Sequence, residues 1–223
     1  ILAKSSIEVT EIADTTKPKL LHAFVNYTDG TVHLTFSEII DQSPPSDVDL
    51  SKFVIQNVSG SSHGIVLDGA KITSVDGTTL NITMTELQRA SSIAISGTPG
   101  GDRHPVIIDL QNGAIHDISQ NNLSTTLNFP VDEYLDDRPP MLTSAVIDYG
   151  HGYMLLEADE FVDLTPIGLV NKSSLRLSNV SGDYRISTSY KSVYTFSGDG
   201  YFFNLSLTEL QRVNAIANSK TSG

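Results

Sequence analysis

The side chains that could carry chemistry in this sequence are scattered and form no catalytic or metal-binding motif. The sequence has six histidines and no cysteine, and no two histidines have the i, i+4 spacing of a helical metal pair. It contains no G-x-S-x-G elbow, Walker loop or G-x-G-x-x-G fingerprint. The glycine-rich run GTPGGD at 97–102 lacks the lysine and the following helix of a phosphate loop. We therefore expect no enzymatic activity.

Asparagines in the pattern Asn-x-Ser/Thr, the acceptor pattern for N-linked glycans, are the most frequent chemical signal. Seven of the 12 asparagines lie in this pattern, an excess over chance placement, and none has proline in the middle position. We expect N-linked glycans, and therefore an extracellular protein that is secreted or held at the cell surface. The alternative is that Asn, Ser and Thr simply enrich loops and strand ends. The acceptors are Asn26, Asn57, Asn81, Asn122, Asn171, Asn179 and Asn204.

A cluster of carboxylates in the run VDEYLDDRPP at 131–140 is the one candidate metal site. Carboxylate oxygens are the ligands that Ca²⁺ prefers, and a bound ion would stiffen a junction between domains. The alternative is a solvated acidic linker. The candidate ligands are Asp132, Glu133, Asp136 and Asp137, and no other cofactor is expected.

The pentapeptide TELQR occurs twice, at 85–89 and at 208–212, and belongs to a tandem repeat. Pro18 matches Pro140 at an offset of 122, and NVSG at 57–60 returns at 179–182 with the same offset. One inserted residue later, the two TELQR copies are 123 positions apart. A unit of about 120 residues is too long for a solenoid repeat and matches one independent domain.

Within each unit the apolar residues alternate as they do in β-strands. KLLHAFVNYTDGTVHLTFS predicts two strands joined by a turn, and KFVIQNVSG predicts a third. TTLNITM places Leu80, Ile82 and Met84 on one face. Thr85 and Gln88 fit a capping box, which predicts one helical turn between two strands. Further strands are predicted for HGIVL, AKITSV, SIAIS, PVIIDL and TTLNFPV. This pattern favours an all-β, immunoglobulin-like β-sandwich.

The phase of the repeat predicts two tandem immunoglobulin-like domains, the second of which lacks its final strand. The first covers 14–135, the linker DEYLDDRPP begins near its end, and the second covers 136–223 without a counterpart of roughly 105–131. Residues 1–13 match the last strand of a unit, because Ile7 falls on Phe129 and Val9 on Val131 at the same offset. We therefore interpret 1–13 as a donor-type β-strand. The chain begins without Met, so a leader was removed or it is part of something longer.

An incomplete sandwich exposes apolar surface and unpaired backbone groups, which natural proteins avoid. The N-terminal strand of another copy could fill the gap, and a head-to-tail contact that does not close builds a filament. The partner would then be the protein itself, in a homopolymer. The alternative is a segment of a longer array whose neighbours supply both ends. The expected anchors are Leu2, Ile7, Val9 and Ile12.

The net charge and the hydropathy of the chain argue against nucleic acid as a partner and against a membrane-spanning helix. The net charge of −12, without any run of Lys or Arg, argues against nucleic acid, because phosphate backbones are bound by basic patches. No stretch approaches the roughly 18 apolar residues that a membrane-spanning helix needs.

The pattern DTTKPKL…DGTVHLTFSE resembles the immunoglobulin-like repeats of large bacterial and protist surface proteins. The resemblance covers residues 14–131 and is weaker in the second unit, where LLEADE replaces LTFSE. It implies a structural or adhesive extracellular role on a sandwich scaffold, without catalytic residues. We expect a structural subunit of a glycosylated extracellular fibre. The alternative is a repeat segment of a larger cell-surface adhesin or carbohydrate-binding stalk.

Overall fold

The computed structural model describes residues 8–58, 63–164, 174–178, 185–187, 193–195 and 199–219. The chain divides into two compact units, unit 1 from Ile1 to Asp137 and unit 2 from Arg138 to Gly223. This boundary lies two residues beyond the expected end of the first domain at 135. The prediction of an all-β chain is confirmed, because strands in several antiparallel sheets dominate and helices are few.

Unit 1 consists of two sheets, with strand orders β5-β6-β2-β1-β9 and β4-β3-β7-β8. All pairs are antiparallel except β9, which pairs parallel with β1. Two short 3-10 helices lie at Pro45–Asp47 and Leu50–Lys52. The remaining elements are β1 Leu20–Asn26, β2 Thr31–Ile40, β3 Phe53–Gln56, β4 Ile65–Val66, β5 Lys71–Ile72, β6 Gly77–Thr83, α1 Glu86–Ala94, β7 Ile107–Leu110, β8 Thr126–Pro130 and β9 Asp132–Tyr134.

One hydrophobic core lies between the two sheets of unit 1. Alternate residues of β2 and β6 point into it, as the period of two in their sequences requires. Val32 and Leu34 enter it from β2, Ile82 from β6, and Phe53 and Ile108 from the other sheet, and all five are fully buried. This shared core agrees with a β-sandwich, and the immunoglobulin-like topology stays a prediction.

Unit 2 repeats part of this arrangement with a smaller core. Its described strands form sheets of order β10-β11-β15-β14 and β12-β13. Its core comprises Met154, Leu156, Leu164, Phe203 and Leu205. The elements are β10 Leu142–Asp148, β11 Tyr153–Val162, β12 Arg176–Ser178, β13 Arg185–Ser187, β14 Val193–Thr195, β15 Gly200–Ser206 and α2 Glu209–Ala217.

The sequence repeat corresponds to a structural repeat, which includes a register shift at the same position in both units. Strands β1 and β10 have equal lengths, and so do β2 and β11, β6 and β15, and the helices α1 and α2. The ladder between the first two strands shifts register at Leu20/His22 in unit 1 and at Leu142/Ser144 in unit 2. We therefore treat residues at these offsets as structural counterparts.

Two local predictions were wrong. The run SIAIS is not a strand, because α1 continues through Ala94 and Ile95 caps its C-terminus. The capping box starts this helix, and Gln88 and Ser92, one turn apart, form its buried face. The linker DEYLDDRPP begins with β9, so its first residues belong to a sheet. Residues 8–19 form no helix or strand in the structure and 1–7 lie outside the described residues, so the donor-type β-strand expected at 1–13 stays a prediction.

Candidate strand-binding edge of the second unit

The first strand of unit 1 is paired along both of its edges. On one side β2 pairs with β1, and on the other β9 does, with Phe24 opposite Asp132 and Val25 opposite Glu133. The contact continues past the strand end, where the amide of Tyr27 donates to the carbonyl of Tyr134 at 3.0 Å. We call β9 the closing strand, because it ends the sheet and covers the edge of β1.

The closing strand is fixed to unit 1 by the carboxylate of Glu133. The Tyr27 hydroxyl donates to Glu133 Oε1 at 2.9 Å. The backbone amides of Gly97 and Val106 also donate to this carboxylate, at 3.2 and 3.3 Å. Burial and the neighbouring Glu133 charge raise the pKa of Tyr27 well above its usual value, so the phenol stays protonated and acts as a donor. Glu133 therefore joins the closing strand to the strand end and to two loops.

The TELQR sequence of unit 1 supplies a second attachment point through Arg89. This guanidinium pairs with Glu86 at 2.5 Å and with Asp136 at 2.6 Å, and it donates to the Tyr27 carbonyl at 2.8 Å. Its side chain is only 7% exposed. Because Asp136 lies two residues after the end of the closing strand, Arg89 ties that strand to the helix and to the β1–β2 turn.

The capping box predicted at Thr85 and Gln88 is confirmed, and the second copy of TELQR has the same box at Thr208 and Gln211. In each helix the threonine hydroxyl accepts from the amide of the glutamine three residues later, and the glutamine side chain accepts from the threonine amide. In unit 1 the amide group of Gln88 also donates to the carbonyls of Val66 and Asp68, at 2.9 and 2.7 Å. The TELQR sequence therefore caps the N-terminus of each helix, and in unit 1 it also attaches the helix to the backbone at Val66 and Asp68.

A glycine in each turn allows the arginine to approach the backbone. Gly30 has φ of +69°, and a Cβ at this position would lie 3.3 Å from Cδ of Arg89. Gly152 repeats both features, with φ of +72° and the same distance to Cδ of Arg212. A side chain at either glycine would be strained and crowded, so the turn and the arginine form one local unit.

Arg212 repeats only part of the contacts of Arg89. It pairs with Glu209 at 2.7 Å and donates to the Tyr149 carbonyl at 2.9 Å. The hydrogen bonds to Glu209 raise the pKa of the guanidinium and lower that of the carboxyl. Its side chain is 30% exposed, and within the described residues no second carboxylate corresponds to Asp136.

The first strand of unit 2, β10, pairs with β11 on one side only among the described residues. We call its other side the open edge. Leu142 is 52% exposed, whereas its counterpart Leu20 is 7% exposed. Ala145 is exposed, and Ile147 is half-buried. Apolar side chains and backbone donors at an uncovered edge form a template for another strand.

The N-terminal segment, residues 8–14, lies apart from any sheet. Of the predicted anchors, Leu2 and Ile7 fall outside the described residues, whereas Val9 is 77% and Ile12 is 93% exposed. At the offset of 122, Thr10, Glu11 and Ile12 correspond to the closing strand Asp132–Tyr134. The segment with the sequence of a closing strand is thus exposed, while β10 has an open edge.

The four predicted calcium ligands each contact a different part of unit 1. Asp132 bonds to His22 at 2.9 Å, and Asp137 accepts from Thr28 at 3.0 Å. Glu133 and Asp136 have the partners described above. The acidic groups that do converge among the described residues lie elsewhere, at Asp14, Glu38 and Asp117 and at Asp41, Asp47 and His116. Calcium at the junction stays a prediction.

Five of the seven acceptor asparagines lie among the described residues, while Asn171 and Asn179 lie outside them. Asn122 is exposed in a loop. Asn26 ends β1, and its side-chain oxygen accepts from the amide of Thr28 at 3.0 Å. Both are positions at which a glycan could project without crossing a core.

The other three described glycan-acceptor asparagines have side chains that are hydrogen-bonded or half-buried within strands. The amide nitrogen of Asn57, the atom that a glycan would modify, donates to the Ile95 carbonyl at 3.2 Å and to Asp102 at 2.6 Å. Asn81 and Asn204 lie within β6 and β15 and are half-buried, while the residues that flank them in each strand point into the core. Glycosylation at these three positions would require local rearrangement.

Comparisons with protein-family models, with curated proteins and with solved structures gave no match to this chain. The resemblance to immunoglobulin-like surface repeats therefore stays a prediction from the sequence. No helix within the described ranges is both long and apolar enough to cross a membrane.

Proposed function

We propose that the protein is a structural subunit of a glycosylated extracellular fibre that polymerises head to tail. In each contact the N-terminal segment of one copy takes, beside β10 of the next copy, the position that β9 holds beside β1. The observation that carries the proposal is the difference between these two strands, because β1 is covered on both edges and β10, among the described residues, on one.

The match between the N-terminal segment and the closing strand supports self-assembly. Val9 corresponds to Val131, which is buried in unit 1, and Ile12 corresponds to Tyr134, which lies on the outer face against Phe24. Burial of an aliphatic side chain stabilises by about 1.5–3 kcal/mol before the loss of chain entropy is counted. Two or three such side chains, together with a row of backbone hydrogen bonds, are the kinds of interaction that hold an added strand in known strand-addition complexes.

The extracellular part of the proposal depends on the acceptor asparagines. Seven acceptors in one chain are more than chance placement gives, and Asn122 and Asn26 lie at loop and strand-end positions. Glycans near sheet edges would also restrict unwanted pairing between fibres. A chain without cysteine needs no particular redox compartment for this role.

A larger cell-surface adhesin or stalk, of which this chain is one segment, is the second candidate function. One observation favours it. The second sheet of unit 1 has four strands, whereas the described residues of unit 2 contain only two, β12 and β13. A single donated strand replaces β9 but supplies no counterparts of β7 and β8, which the described part of unit 2 lacks and which further sequence of the same polypeptide would supply.

Removal of residues 1–13 tests the proposed assembly. Residues 8–13, the described part of this segment, belong to no sheet, so their removal takes no strand from either unit. We expect the full chain to form concentration-dependent oligomers in sedimentation velocity and the shortened chain to stay a monomer. A peptide of residues 5–16, but not its scrambled version, should bind the shortened chain.

Two outcomes contradict head-to-tail assembly. If the full chain is a monomer at all concentrations, or if the shortened chain assembles equally well, the N-terminal segment is not the donor. If the full chain is a monomer and addition of a third repeat after residue 223 buries β10, the adhesin-segment function is favoured.

Mass spectrometry of the protein secreted by a eukaryotic host tests the glycans. We expect modification at Asn122 and Asn26, and lower occupancy at Asn57, whose amide nitrogen already makes two hydrogen bonds. An intact mass near the unmodified 24.1 kDa would contradict the glycoprotein assignment.

A further inference from the structure

Two carboxylates fix the closing strand in unit 1, and they are spaced three residues apart. Glu133 accepts from the Tyr27 hydroxyl, and Asp136 pairs with Arg89. Tyr27 follows the end of β1, and Arg89 lies in α1, so the two contacts hold the strand at one register. A slip of one residue would break both contacts at once and would turn every side chain to the other face.

The donor groups of both contacts, a tyrosine hydroxyl and an arginine guanidinium, recur in unit 2. Tyr149 is the counterpart of Tyr27, and Arg212 is the counterpart of Arg89. Tyr149 is half-buried, and within the described residues its hydroxyl has no hydrogen-bond partner. Arg212 keeps its contacts with Glu209 and with the Tyr149 carbonyl, but its exposed face has no carboxylate like Asp136 among the described residues.

The carboxylates that would complete these contacts lie in the N-terminal segment. Glu11 and Asp14 have the same spacing as Glu133 and Asp136 and fall on them at the offset of 122. Both are exposed. The carboxylate of Asp14 lies within 4.8 Å of those of Glu38 and Asp117, so a cation brought to it would also offset repulsion between like charges.

We propose that Glu11 and Asp14 set the register and the parallel direction of the incoming strand by binding Tyr149 and Arg212 of another copy. Glu11 accepts a hydrogen bond from the Tyr149 hydroxyl, and Asp14 pairs with the Arg212 guanidinium. This inference rests on the proposed function, because it assumes that the N-terminal segment occupies the open edge. It goes further by assigning the specificity of the contact to two named pairs.

Charge reversal in the full chain tests the ionic pair. Asp14→Lys and Arg212→Glu should each weaken assembly about tenfold or more, as measured by sedimentation velocity. The variant that carries both reversals should recover most of the affinity, and an equimolar mixture of the two single variants should copolymerise. Asp68→Lys is the matched control, because Asp68 is an exposed carboxylate at a turn of unit 1 and its reversal changes the net charge equally.

A double-mutant cycle tests the second pair. Glu11→Gln and Tyr149→Phe should each weaken assembly, and the two effects together should be smaller than their sum because both remove the same hydrogen bond. Circular dichroism of each variant separates a loss of assembly from a loss of folding. Asp14→Lys is the safest single variant, since Asp14 lies outside the helices and strands.

The outcomes distinguish this inference from the function on which it rests. If removal of residues 1–13 abolishes assembly while Asp14→Lys and Glu11→Gln leave it unchanged, strand insertion stands and the assigned pairs are wrong. If the double charge reversal assembles no better than either single reversal, Arg212 is not the partner of Asp14. If the deletion itself leaves assembly unchanged, the proposed function fails.

Discussion

The two units contain the same strands, bulges and capped helix, yet their first strands lie in different environments. In unit 1 Leu20 is 7% exposed, and in unit 2 its counterpart Leu142 is 52% exposed. The local sequence is alike in both, and the turn glycine and the arginine against it are the same. The difference coincides with elements that unit 1 has and the described part of unit 2 lacks. These are β7 and β8 of the facing sheet and the closing strand β9, which pairs with Phe24–Asn26 and not with Leu20. Burial of the first strand thus depends on distant segments as well as on the strand itself.

Substitution of the two equivalent arginines, Arg89 and Arg212, should give the largest difference in stability between the two units. Arg89→Ala would leave the carboxylates of Glu86 and Asp136 without their cation in a largely buried site, so unit 1 should lose about 3–5 kcal/mol of unfolding free energy. Arg212→Ala should affect unit 2 much less, because Arg212 is more exposed and has one carboxylate partner among the described residues. Native-state hydrogen exchange in α1 and α2 measures both. Equal losses would contradict the comparison.

The tyrosine pair should give the next largest effect. Tyr27→Phe removes a buried hydrogen bond to a carboxylate, which costs about 1.5–3 kcal/mol in unit 1. Tyr149→Phe should leave the stability of the unassembled protein unchanged, because no hydrogen bond of that hydroxyl exists within the described residues. Denaturant unfolding below the assembly concentration tests both. A destabilised Tyr149→Phe monomer would show that unit 2 already has an acceptor.

Alkaline pH should weaken unit 1 through Tyr27. The folded state raises the pKa of this phenol above its unfolded value of about 10, so the stabilisation is present below pH 10 and is lost as the pH rises. At pH 11 the loss should be about 1.4 kcal/mol, and Tyr27→Phe should abolish it. Unfolding curves between pH 9 and pH 11 give the slope. If the unfolding free energy of the Tyr27→Phe variant falls with pH as steeply as that of the unmodified protein, the pH dependence belongs to another group.

The two capping boxes should give the smallest effects and equal ones. Thr85→Ala and Thr208→Ala each remove a hydroxyl that accepts from the glutamine amide at 3.3 Å, at a cost of about 1 kcal/mol of helix stability. The exchange rates of α1 and α2 amides provide the measurement, with serine at each position as the control. A much larger effect in one unit would mean that the helices are not local equivalents.

The sequence predicted the features that depend on neighbouring residues. The β-hairpin at Gly30, the buried face of Leu80 and Ile82, and the Thr85–Gln88 cap all follow from local patterns, and the structure confirms them. The run SIAIS was wrongly predicted as a strand, because the helix that begins after the Thr85 cap continues through Ala94 and contacts β4.

The contacts of the closing strand were harder to predict, because they join residues that are distant in the sequence, 106 positions for Tyr27 and Glu133 and 47 for Arg89 and Asp136. Glu133 and Asp136 were interpreted as possible calcium ligands, whereas the structure pairs them with Tyr27 and Arg89. The repeat offset already matched Glu11 with Glu133 and Tyr27 with Tyr149. These two matches indicate that the same strand contact could occur twice. The sequence alone did not show that Tyr27 and Glu133 are in contact.

Disulfide trapping of the proposed strand pair tests the central claim most directly, because the chain has no cysteine of its own. In unit 1 Phe24 pairs with Asp132, so Phe24→Cys with Asp132→Cys should form a bond within one chain. The counterpart variant, Thr10→Cys with Val146→Cys, should instead give a reducible ladder of covalent oligomers on a gel. Glu8→Cys with Val146→Cys, shifted by two residues, should give little product. A Thr10/Val146 variant that stays monomeric under oxidation, or that forms its bond within one chain, would contradict head-to-tail strand insertion.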